Sequence, residues 1–228
     1  MKTVILAAGE GRRMYPLTRR IPKPLLRVGN KTILDYIFDA LPSEVDSVIM
    51  VVGYLQKKIR QHLGHKYQGR NIRYVEQTVL DGTASALFLT KDFFSPHERF
   101  LLIYGDELPT VEEVKACVSF PVSWLCAPSA HPRQSGIASI GEDNLIREVI
   151  EKPANPSSNM SAAGIVVLNE DIFHYDLAQH ENGHYYLADI MNQFIKTHPV
   201  RAVYGRERPN FVSPDELDRI DPVTLVLN

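Results

Sequence analysis

Two glycines near the start of the chain stand where a backbone could close around an anion. Gly9 and Gly11 follow an apolar run at residues 3–6, which predicts a short buried strand that ends in a turn. Glycine tolerates a positive φ, so that neighbouring amide N–H groups can converge on one anion. Arg13 and Lys23 place full positive charges near those amides. This combination of residue types predicts a triphosphate-binding loop.

The charge of the same stretch differs from that of the rest of the chain. Residues 12–31 carry seven basic residues and no acid, whereas the other 18 of the 25 basic residues are set against all 27 acids. A segment of net charge +7 in a chain of formal charge −2 indicates a local anion site, because a nucleic-acid surface would need a wider basic face. A solvated basic loop is the alternative interpretation of the charge alone.

The glycine pattern matches neither of the two standard phosphate-binding motifs. Residues 9–14 lack the third glycine of GxGxxG, and no GK[ST] follows at the spacing of a P-loop. The longer run LAAGEGRRMYPLT, followed by PKPL, is more specific. It resembles the signature of the sugar-phosphate nucleotidyltransferases, which join a nucleoside triphosphate to a sugar 1-phosphate.

The resemblance assigns this first loop to the nucleotide. It implies that Arg13 lies on the leaving phosphates and that Lys23 lies on the α-phosphate. The other nucleotide-binding residues that it implies in this loop are Leu6, Ala7, Ala8, Gly9 and Gly11.

A second matching stretch follows the third predicted strand. In the family, a glutamine and a glycine–threonine turn hold the base, and Gln77, Gly82 and Thr83 stand at these positions. An amide can both donate and accept a hydrogen bond, which suits the edge of a pyrimidine. The match favours UTP or dTTP, although guanylyl- and cytidylyltransferases share the first loop. The alternative is a polar strand end followed by an ordinary helix start.

Asp106 is the first candidate metal ligand. It follows Gly105 at the end of the fourth predicted strand, where a carboxylate beside a glycine could hold Mg²⁺ against the α-phosphate. An aspartate that only starts a turn is the alternative. Residues 208–217 are similar to the family's run tryptophan-x-Asp-x-Gly-Thr-Pro, which implies Asn210 as the second Mg²⁺ ligand, with Asp189 as the fallback.

The residues expected to bind the sugar phosphate lie in the second half of the chain. The resemblance implies that Lys152 binds the phosphate, that Glu151 binds hydroxyls, and that Gly136 and Ala163 belong to the same site. The family usually carries an asparagine where Ala162 stands, so one sugar-hydroxyl contact is missing or is supplied elsewhere. An exposed ion pair of little consequence is the alternative interpretation of Glu151 and Lys152.

Alternating strands and helices are expected to position these residues. Apolar runs predict strands at residues 3–6, 47–52, 72–76, 100–104, 121–127 and 161–168, and an antiparallel hairpin at 136–140 and 145–150. Helical spacing predicts helices at residues 33–41, 54–63, 85–89, 110–118 and 185–197, the first with Thr32 as its N-cap. The order predicts an α/β, Rossmann-like three-layer αβα fold with a mainly parallel mixed sheet, which binds ligands beyond the carboxyl ends of its strands.

Length and composition are those of an ordinary globular chain. With 228 residues, of which 44% are hydrophobic and 23% are charged, the chain can bury a sizeable core. We expect a single nucleotidyltransferase catalytic domain over residues 1–228, in the cytoplasm, with no membrane or nucleic-acid partner; assembly into homo-oligomers is left open. Cys117 and Cys126 are expected to be free thiols.

The reaction that the resemblance implies is attack by a phosphate oxygen of the sugar 1-phosphate on the α-phosphorus of the triphosphate. Its catalytic residues would be Arg13, Lys23, Asp106 and Lys152, with Mg²⁺ as the cofactor. One alternative is a cytidylyltransferase that acts on a non-sugar phosphate such as phosphocholine. Another is a regulatory subunit that binds a nucleotide sugar without turnover, although such a subunit has no chemical need for all four residues.

Overall fold

The computed structural model describes residues 1–180, 182–207 and 213–220. The strands in these ranges are β1 (Lys2–Ala7), β2 (Arg27–Val28), β3 (Lys31–Thr32), β4 (Ser47–Val52), β5 (Lys66–Tyr67), β6 (Arg70–Glu76), β7 (Arg99–Tyr104), β8 (Ser123–Pro128), β9 (Gly136–Ile140), β10 (Ile146–Glu151), β11 (Met160–Asn169) and β12 (Arg201–Tyr204). The α-helices are α1 (Ile33–Ala40), α2 (Gln56–Leu63), α3 (Thr83–Phe88), α4 (Val111–Val118), α5 (Leu187–Phe194) and α6 (Asp215–Arg219).

One large mixed sheet organises the molecule. Its main path runs β10-β9-β11-β7-β1-β4-β6-β5, with β8 alongside β11 and β12 alongside β8. The four central strands β6, β4, β1 and β7 are parallel, whereas β11 runs antiparallel to both β7 and β8. The sheet therefore has a parallel half and an antiparallel half that meet between β7 and β11, and the predicted α/β fold is confirmed.

Helices cover both faces of the sheet. Side chains alternate between the two faces of a strand, so Val48 and Met50 of β4 pack with the helices α1, α2 and α4, while Ile49 and Val51 pack with α3 and α5. This gives the predicted three layers, with a buried core on each side of the sheet.

The start of the first helix follows directly from the sequence. Thr32 Oγ1 accepts the backbone N–H of Asp35 at 3.1 Å, and Asp35 Oδ2 accepts the backbone N–H of Thr32 at 2.8 Å. This reciprocal capping box satisfies two amide donors that the helix itself cannot satisfy. The predicted N-cap is confirmed.

The helix predicted at residues 185–197 is shorter than expected. The backbone N–H of Tyr185 donates to the carbonyl of Asp81 at 2.7 Å, and the carbonyl of Tyr185 accepts from Ala84 at 3.0 Å. Because both backbone groups of Tyr185 are engaged by another segment, α5 begins only at Leu187. The predicted hairpin at residues 136–150 is confirmed as the antiparallel pair β9 and β10.

The two cysteines are buried and free, as predicted. Burial raises the pKa of the Cys126 thiol to about 12, so the group stays protonated at neutral pH. Throughout the described part of the chain, no helix combines the length and the apolar character needed to cross a bilayer.

Candidate active site

A cavity of about 860 Å³ lies beyond the carboxyl ends of β1, β6 and β7 and is bounded on its other side by β9, β10 and β11. Except for the fallback metal ligand Asp189, the structure brings to its lining every candidate site residue that it describes: Leu6, Ala7, Ala8, Gly9, Gly11, Arg13, Lys23, Gln77, Gly82, Thr83, Asp106, Gly136, Glu151, Lys152 and Ala163. Asn210, the expected second metal ligand, lies outside the described residues. The roles of these residues stay predictions, but they do share one cavity.

The loop after β1 has the shape that its glycines allow. Gly11 adopts a φ of 63°, and a Cβ added there would lie 3.0 Å from Lys23 Cβ. The hydroxyl of Thr18 donates to the Gly11 carbonyl at 2.9 Å and holds the loop in place. At Gly9 an added Cβ would meet nothing within 4 Å, so the backbone there borders open space. A ligand can therefore approach the main chain of this loop closely.

An ion pair between a buried ammonium and a partly exposed carboxylate joins the basic loop to the end of β7. Lys23 is only 7% exposed, and its Nζ donates to Asp106 Oδ2 at 2.6 Å. Burial alone would raise the pKa of Asp106, but the ammonium of Lys23 and, more weakly, the guanidinium of Arg13 outweigh it and hold that pKa below its usual range. The carboxylate is therefore ionised at neutral pH.

Arg13 lies exposed at the rim of the cavity. Its Nη1 is 3.5 Å from Gln134 Oε1, which is a long contact for a hydrogen bond. The guanidinium is thus available for a stronger anionic partner.

The basic segment at residues 12–31 is not a single anion site. Three of its seven basic residues line the cavity, namely Arg12, Arg13 and Lys23, and Arg12 is itself paired with Glu10. Lys31 instead pairs with Asp39 at 2.7 Å, away from the cavity. The prediction from charge alone was therefore too broad, because net charge along the sequence does not show which side chains share a surface.

Gln77, at the end of β6, is anchored by its own amide group. Its side chain is buried, and Nε2 donates to Ser85 Oγ at 3.1 Å, to the Gly82 carbonyl at 3.2 Å and to Asp81 Oδ1 at 3.3 Å. Asp81 and the Gly82 carbonyl can only accept, so the amide nitrogen must face them. The amide oxygen of Gln77 is then the atom left for a ligand.

The turn at residues 81–84 is joined to the segment before α5. Gly82 has a φ of 135°, and a Cβ added there would lie 2.2 Å from the Tyr185 carbonyl oxygen. Thr83 Oγ1 accepts the backbone N–H of Leu187 at 3.0 Å. Only glycine fits at position 82, and the expected base-binding turn is thereby fixed to the segment that carries Tyr186.

Lys152 lies among groups that orient its ammonium. Nζ is 3.3 Å from Glu151 Oε1, donates to the Tyr186 hydroxyl at 3.1 Å and lies 4.5 Å from the centre of the Tyr186 ring. Burial raises the pKa of Glu151, and the charge of Lys152 opposes that shift. A Cβ added at Gly136 would lie 3.1 Å from Glu151 Oε2, so the glycine gives this carboxylate room.

Sequence reasoning left some residues of the cavity unassigned. Glu107, which directly follows Asp106, and Trp124 belong to none of the matching motifs; both line the cavity, and Trp124 is also buried. Asp189, the fallback metal ligand, is not among the lining residues. Its Oδ2 is buried without a hydrogen-bond partner, and burial raises its pKa.

Comparisons with known proteins assign the chain to one family. The family described as "Nucleotidyl transferase" matches residues 2–207. The UTP–glucose-1-phosphate uridylyltransferase AglF of Haloferax volcanii is 32% identical over 209 residues, which cover 86% of this chain and 84% of AglF. The bifunctional protein GlmU of Methanocaldococcus jannaschii is 30% identical over 207 residues, covering 89% of this chain. The chain spans about half the length of GlmU, of which 49% is covered.

Two solved structures share the fold. An inferred glucose-1-phosphate thymidylyltransferase from Bacillus anthracis, in complex with sucrose, superposes with a TM-score of 0.84 at 24% identity, covering 100% of this chain and 97% of the other. A UDP-glucose pyrophosphorylase complexed with UDP-glucose superposes with a TM-score of 0.82 at 17% identity, covering 96% of each chain. At these identities the superpositions establish the fold, and the sequence matches establish the family. The chain belongs to the nucleotidyl transferase family, as its motifs predicted.

Proposed function

We propose that this chain joins a nucleoside triphosphate, preferably UTP or dTTP, to a sugar 1-phosphate and releases pyrophosphate. The single observation that carries the proposal is the shared cavity: the glycine loop and the Lys23–Asp106 pair line one side, and Lys152 with Glu151 lines the other. Two polyanions must meet in this reaction, and a cavity with cations on both sides suits that task.

This reaction depends more on the positioning of the two substrates than on a reactive side chain of the protein. The attacking phosphate oxygen of the sugar 1-phosphate is already anionic, so the chain has to align two reactants and stabilise the charge that builds on pyrophosphate. In this proposal Arg13 binds the leaving phosphates, Lys23 binds the α-phosphate and Lys152 binds the incoming sugar phosphate. No proton has to be removed from the nucleophile.

The donor set at Asp106 fits Mg²⁺. The ion prefers hard oxygen ligands and is usually held by one or two carboxylates together with substrate phosphates. Asp106 is kept ionised by its low pKa, and a Cβ added at the neighbouring Gly105 would lie 2.8 Å from the Leu6 carbonyl oxygen, so only glycine fits there. Asp106, with Asn210 as the expected second donor, would hold the ion, which when bound neutralises charge on the phosphates.

The orientation of Gln77 supports a uracil or thymine base. Its amide nitrogen is turned toward Asp81 and the Gly82 carbonyl, which leaves the amide oxygen as a hydrogen-bond acceptor for a ligand. An acceptor matches the N3–H donor of uracil or thymine. Cytosine carries an acceptor at that ring position, which an amide oxygen repels.

The surroundings of Lys152 favour a sugar 1-phosphate over phosphocholine. A choline-binding site needs an aromatic face that is open to a quaternary ammonium group. The face of Tyr186 in this cavity is already covered by the ammonium of Lys152, 4.5 Å from the ring centre. A second cation there would be repelled, whereas the phosphate of a sugar 1-phosphate would be attracted.

A pyrophosphate-release assay with Mg²⁺ tests the proposal. Each of the four nucleoside triphosphates is paired with a panel of sugar 1-phosphates, and CTP is also paired with phosphocholine. We expect release with UTP or dTTP and at least one sugar 1-phosphate. Release only with CTP and phosphocholine would replace the proposal by that activity, and nucleotide binding without release from any pair would replace it by a non-catalytic binding subunit.

A further inference from the structure

The strand β11 is irregular where it lines the cavity. Ala162 pairs with Cys126 of β8, but the next pair joins Val166 to Trp124, so four steps along β11 match two along β8. Such a bulge takes peptide groups out of the ladder and redirects the backbone. Ala162, Ala163 and Gly164 all line the cavity on the side of Lys152. The shape of that side therefore depends on what holds the bulge.

Two side chains bind one peptide unit of the bulge. The carboxylate Oε1 of Glu107 accepts the N–H of Gly164 at 2.6 Å, and the indole Nε1–H of Trp124 donates to the carbonyl of Ala163 at 2.6 Å. These two backbone groups belong to the same planar peptide bond and point in opposite directions. A peptide unit held at both edges cannot rotate without breaking a hydrogen bond, and neither of its buried polar groups is left unsatisfied.

The bulge also packs tightly against the end of β7. A Cβ added at Gly164 would lie 2.5 Å from the ring of Tyr104, so a side chain at position 164 would displace either the ring or the bulge. The backbone N–H of Glu107 donates to the Tyr104 carbonyl at 3.1 Å, which forms the turn that also carries Asp106. One short turn thus carries two adjacent carboxylates. Asp106 is the expected metal ligand. Glu107 holds the side of the cavity lined by β9, β10 and β11, here called the acceptor side because the proposed function places the sugar 1-phosphate there.

We infer that Glu107 and Trp124 are positioning residues for the sugar 1-phosphate, acting through the peptide unit between Ala163 and Gly164. The inference rests on the proposed function, because it places the acceptor against this bulge. Proximity is the main contribution in a reaction of two bound anions, so the fixed link from Asp106 to the bulge sets how the two reactants meet. Glu107 acts here as a hydrogen-bond acceptor for the N–H of Gly164, a role that an amide oxygen can also fill.

Four variants separate this role from a general structural one. Glu107→Ala removes the acceptor, Glu107→Gln keeps an amide oxygen in its place, and Trp124→Phe removes the indole N–H together with part of the ring system. The matched control is Glu98→Ala, since Glu98 Oε2 also accepts a backbone N–H, that of Ser95 at 2.9 Å, at the opposite end of β7. We expect Glu107→Ala to raise the KM for sugar 1-phosphate roughly tenfold, and Trp124→Phe severalfold, with the KM for the nucleotide unchanged. Glu107→Gln and Glu98→Ala should stay near wild type.

A binding measurement makes the test independent of turnover. Trp124 is the only tryptophan, so its fluorescence reports ligand binding to the cavity. The affinity for UDP measures the nucleotide side alone, and the additional affinity for UDP-glucose measures the acceptor side; dTDP and dTDP-glucose form the second pair. We expect Glu107→Ala to lose the additional affinity for the nucleotide sugar and Glu107→Gln to keep it, even in a protein that shows no pyrophosphate release.

The outcomes distinguish this inference from the proposed function. If the wild type releases pyrophosphate while Glu107→Ala keeps its acceptor KM, the inference is wrong and the proposed function stands. The inference is also wrong if Glu107→Gln behaves like Glu107→Ala, because the charge would then be the requirement. A wild type that releases pyrophosphate from no pair and binds neither nucleotide sugar overturns both. Should Glu107→Ala fail to fold, the selective KM change of Trp124→Phe decides, and an unchanged acceptor KM there overturns the inference.

Discussion

The two sides of the cavity are built in different ways. On the proposed nucleotide side, defined by β1, β6 and β7, most candidate residues lie at or soon after the ends of parallel strands, in short runs that a motif can describe. On the acceptor side, defined by β9, β10 and β11, the backbone is held by partners that belong to no motif: Glu107 is 57 residues from Gly164, and Trp124 is 39 residues from Ala163. Parallel topology gathers the first set of residues at one edge, whereas individual hydrogen bonds between distant residues shape the second.

Distant parts of the chain meet at a few defined contacts, one within the nucleotide side and two between the sides. Lys23 and Asp106 are 83 residues apart and form an ion pair between two motif residues within the nucleotide side. The turn at residues 81–84 is bonded to the segment before α5, and Glu107 is bonded to the bulge in β11. Substitutions within one side should therefore affect one substrate. Displacing the turn at residues 81–84 should affect both, whereas losing the Glu107 bond changes only the bulge in β11 and should affect the acceptor alone.

The largest effect is expected from removing the carboxylate of the nucleotide side. Asp106→Ala deletes the expected metal ligand and takes away the carboxylate that the buried ammonium of Lys23 binds. We expect kcat to fall roughly 10³-fold, since charge stabilisation in the transition state is lost, and the thermal midpoint to fall as well. Pyrophosphate release and thermal unfolding measure these, with the exposed Asp92→Ala as the control. Near-normal turnover would remove Asp106 from the mechanism.

Arg13→Ala should have the next largest effect. The exposed guanidinium has only a 3.5 Å contact with Gln134, so its removal should leave the fold intact while kcat falls roughly 10²-fold through loss of a charge partner for pyrophosphate. Arg20→Ala removes an equal charge from the same basic segment outside the cavity lining and should be near neutral. Equal losses in both variants would favour a general effect of the positive segment over a specific role for Arg13.

Gly82→Ala tests the contact between the two sides. The added methyl would lie 2.2 Å from the Tyr185 carbonyl oxygen at a φ of 135°, so the turn or the segment before α5 has to move. We expect a loss of about 2 kcal/mol in the free energy of unfolding and a higher KM for both substrates. The control is Gly69→Ala. Gly69 has a φ of 82°, but a Cβ added there would meet nothing within 4 Å. This substitution should lower the free energy of unfolding by about 1 kcal/mol without changing either KM. Urea unfolding and steady-state kinetics separate the two; a change in only one KM would argue against coupling.

The sequence predicted candidate residues on both sides of the cavity, but not the contacts that shape the acceptor side, for a physical reason. Strand periodicity, the Thr32 cap and the glycines of the first loop are local properties, and the carboxyl ends of parallel strands are bound to share an edge. The start of α5, in contrast, is decided by bonds from Tyr185 to a turn about 100 residues earlier. The bulge in β11 is likewise held by Glu107 and Trp124, whose neighbours in the sequence do not reveal the partner. The four-residue strand β12 is too short for alternation to predict.

The smallest expected effect concerns the protonation of the acceptor side. Burial raises the pKa of Glu151, opposed by Lys152 and reinforced by Asp189, so acceptor binding through the carboxylate should weaken as the pH falls through that raised pKa. A sugar phosphate has its own ionisation near pH 6, which is common to every variant. The KM for sugar 1-phosphate should therefore rise more steeply toward acid in the wild type than in Glu151→Gln; parallel profiles would exclude Glu151 as the titrating group.

The raised pKa of Glu151 also predicts how the free energy of unfolding changes with pH, which a second measurement can check. A carboxyl group whose pKa is higher in the folded state favours folding fully when protonated, and loses that contribution as the pH rises through the folded pKa. Glu151→Gln should thus be more stable than the wild type at about pH 8 and similar to it at about pH 4, by urea unfolding. A variant that is as stable as the wild type at both pH values would mean that the partly buried carboxylate is compensated by Lys152, and that the acid limb of binding arises from the phosphate alone.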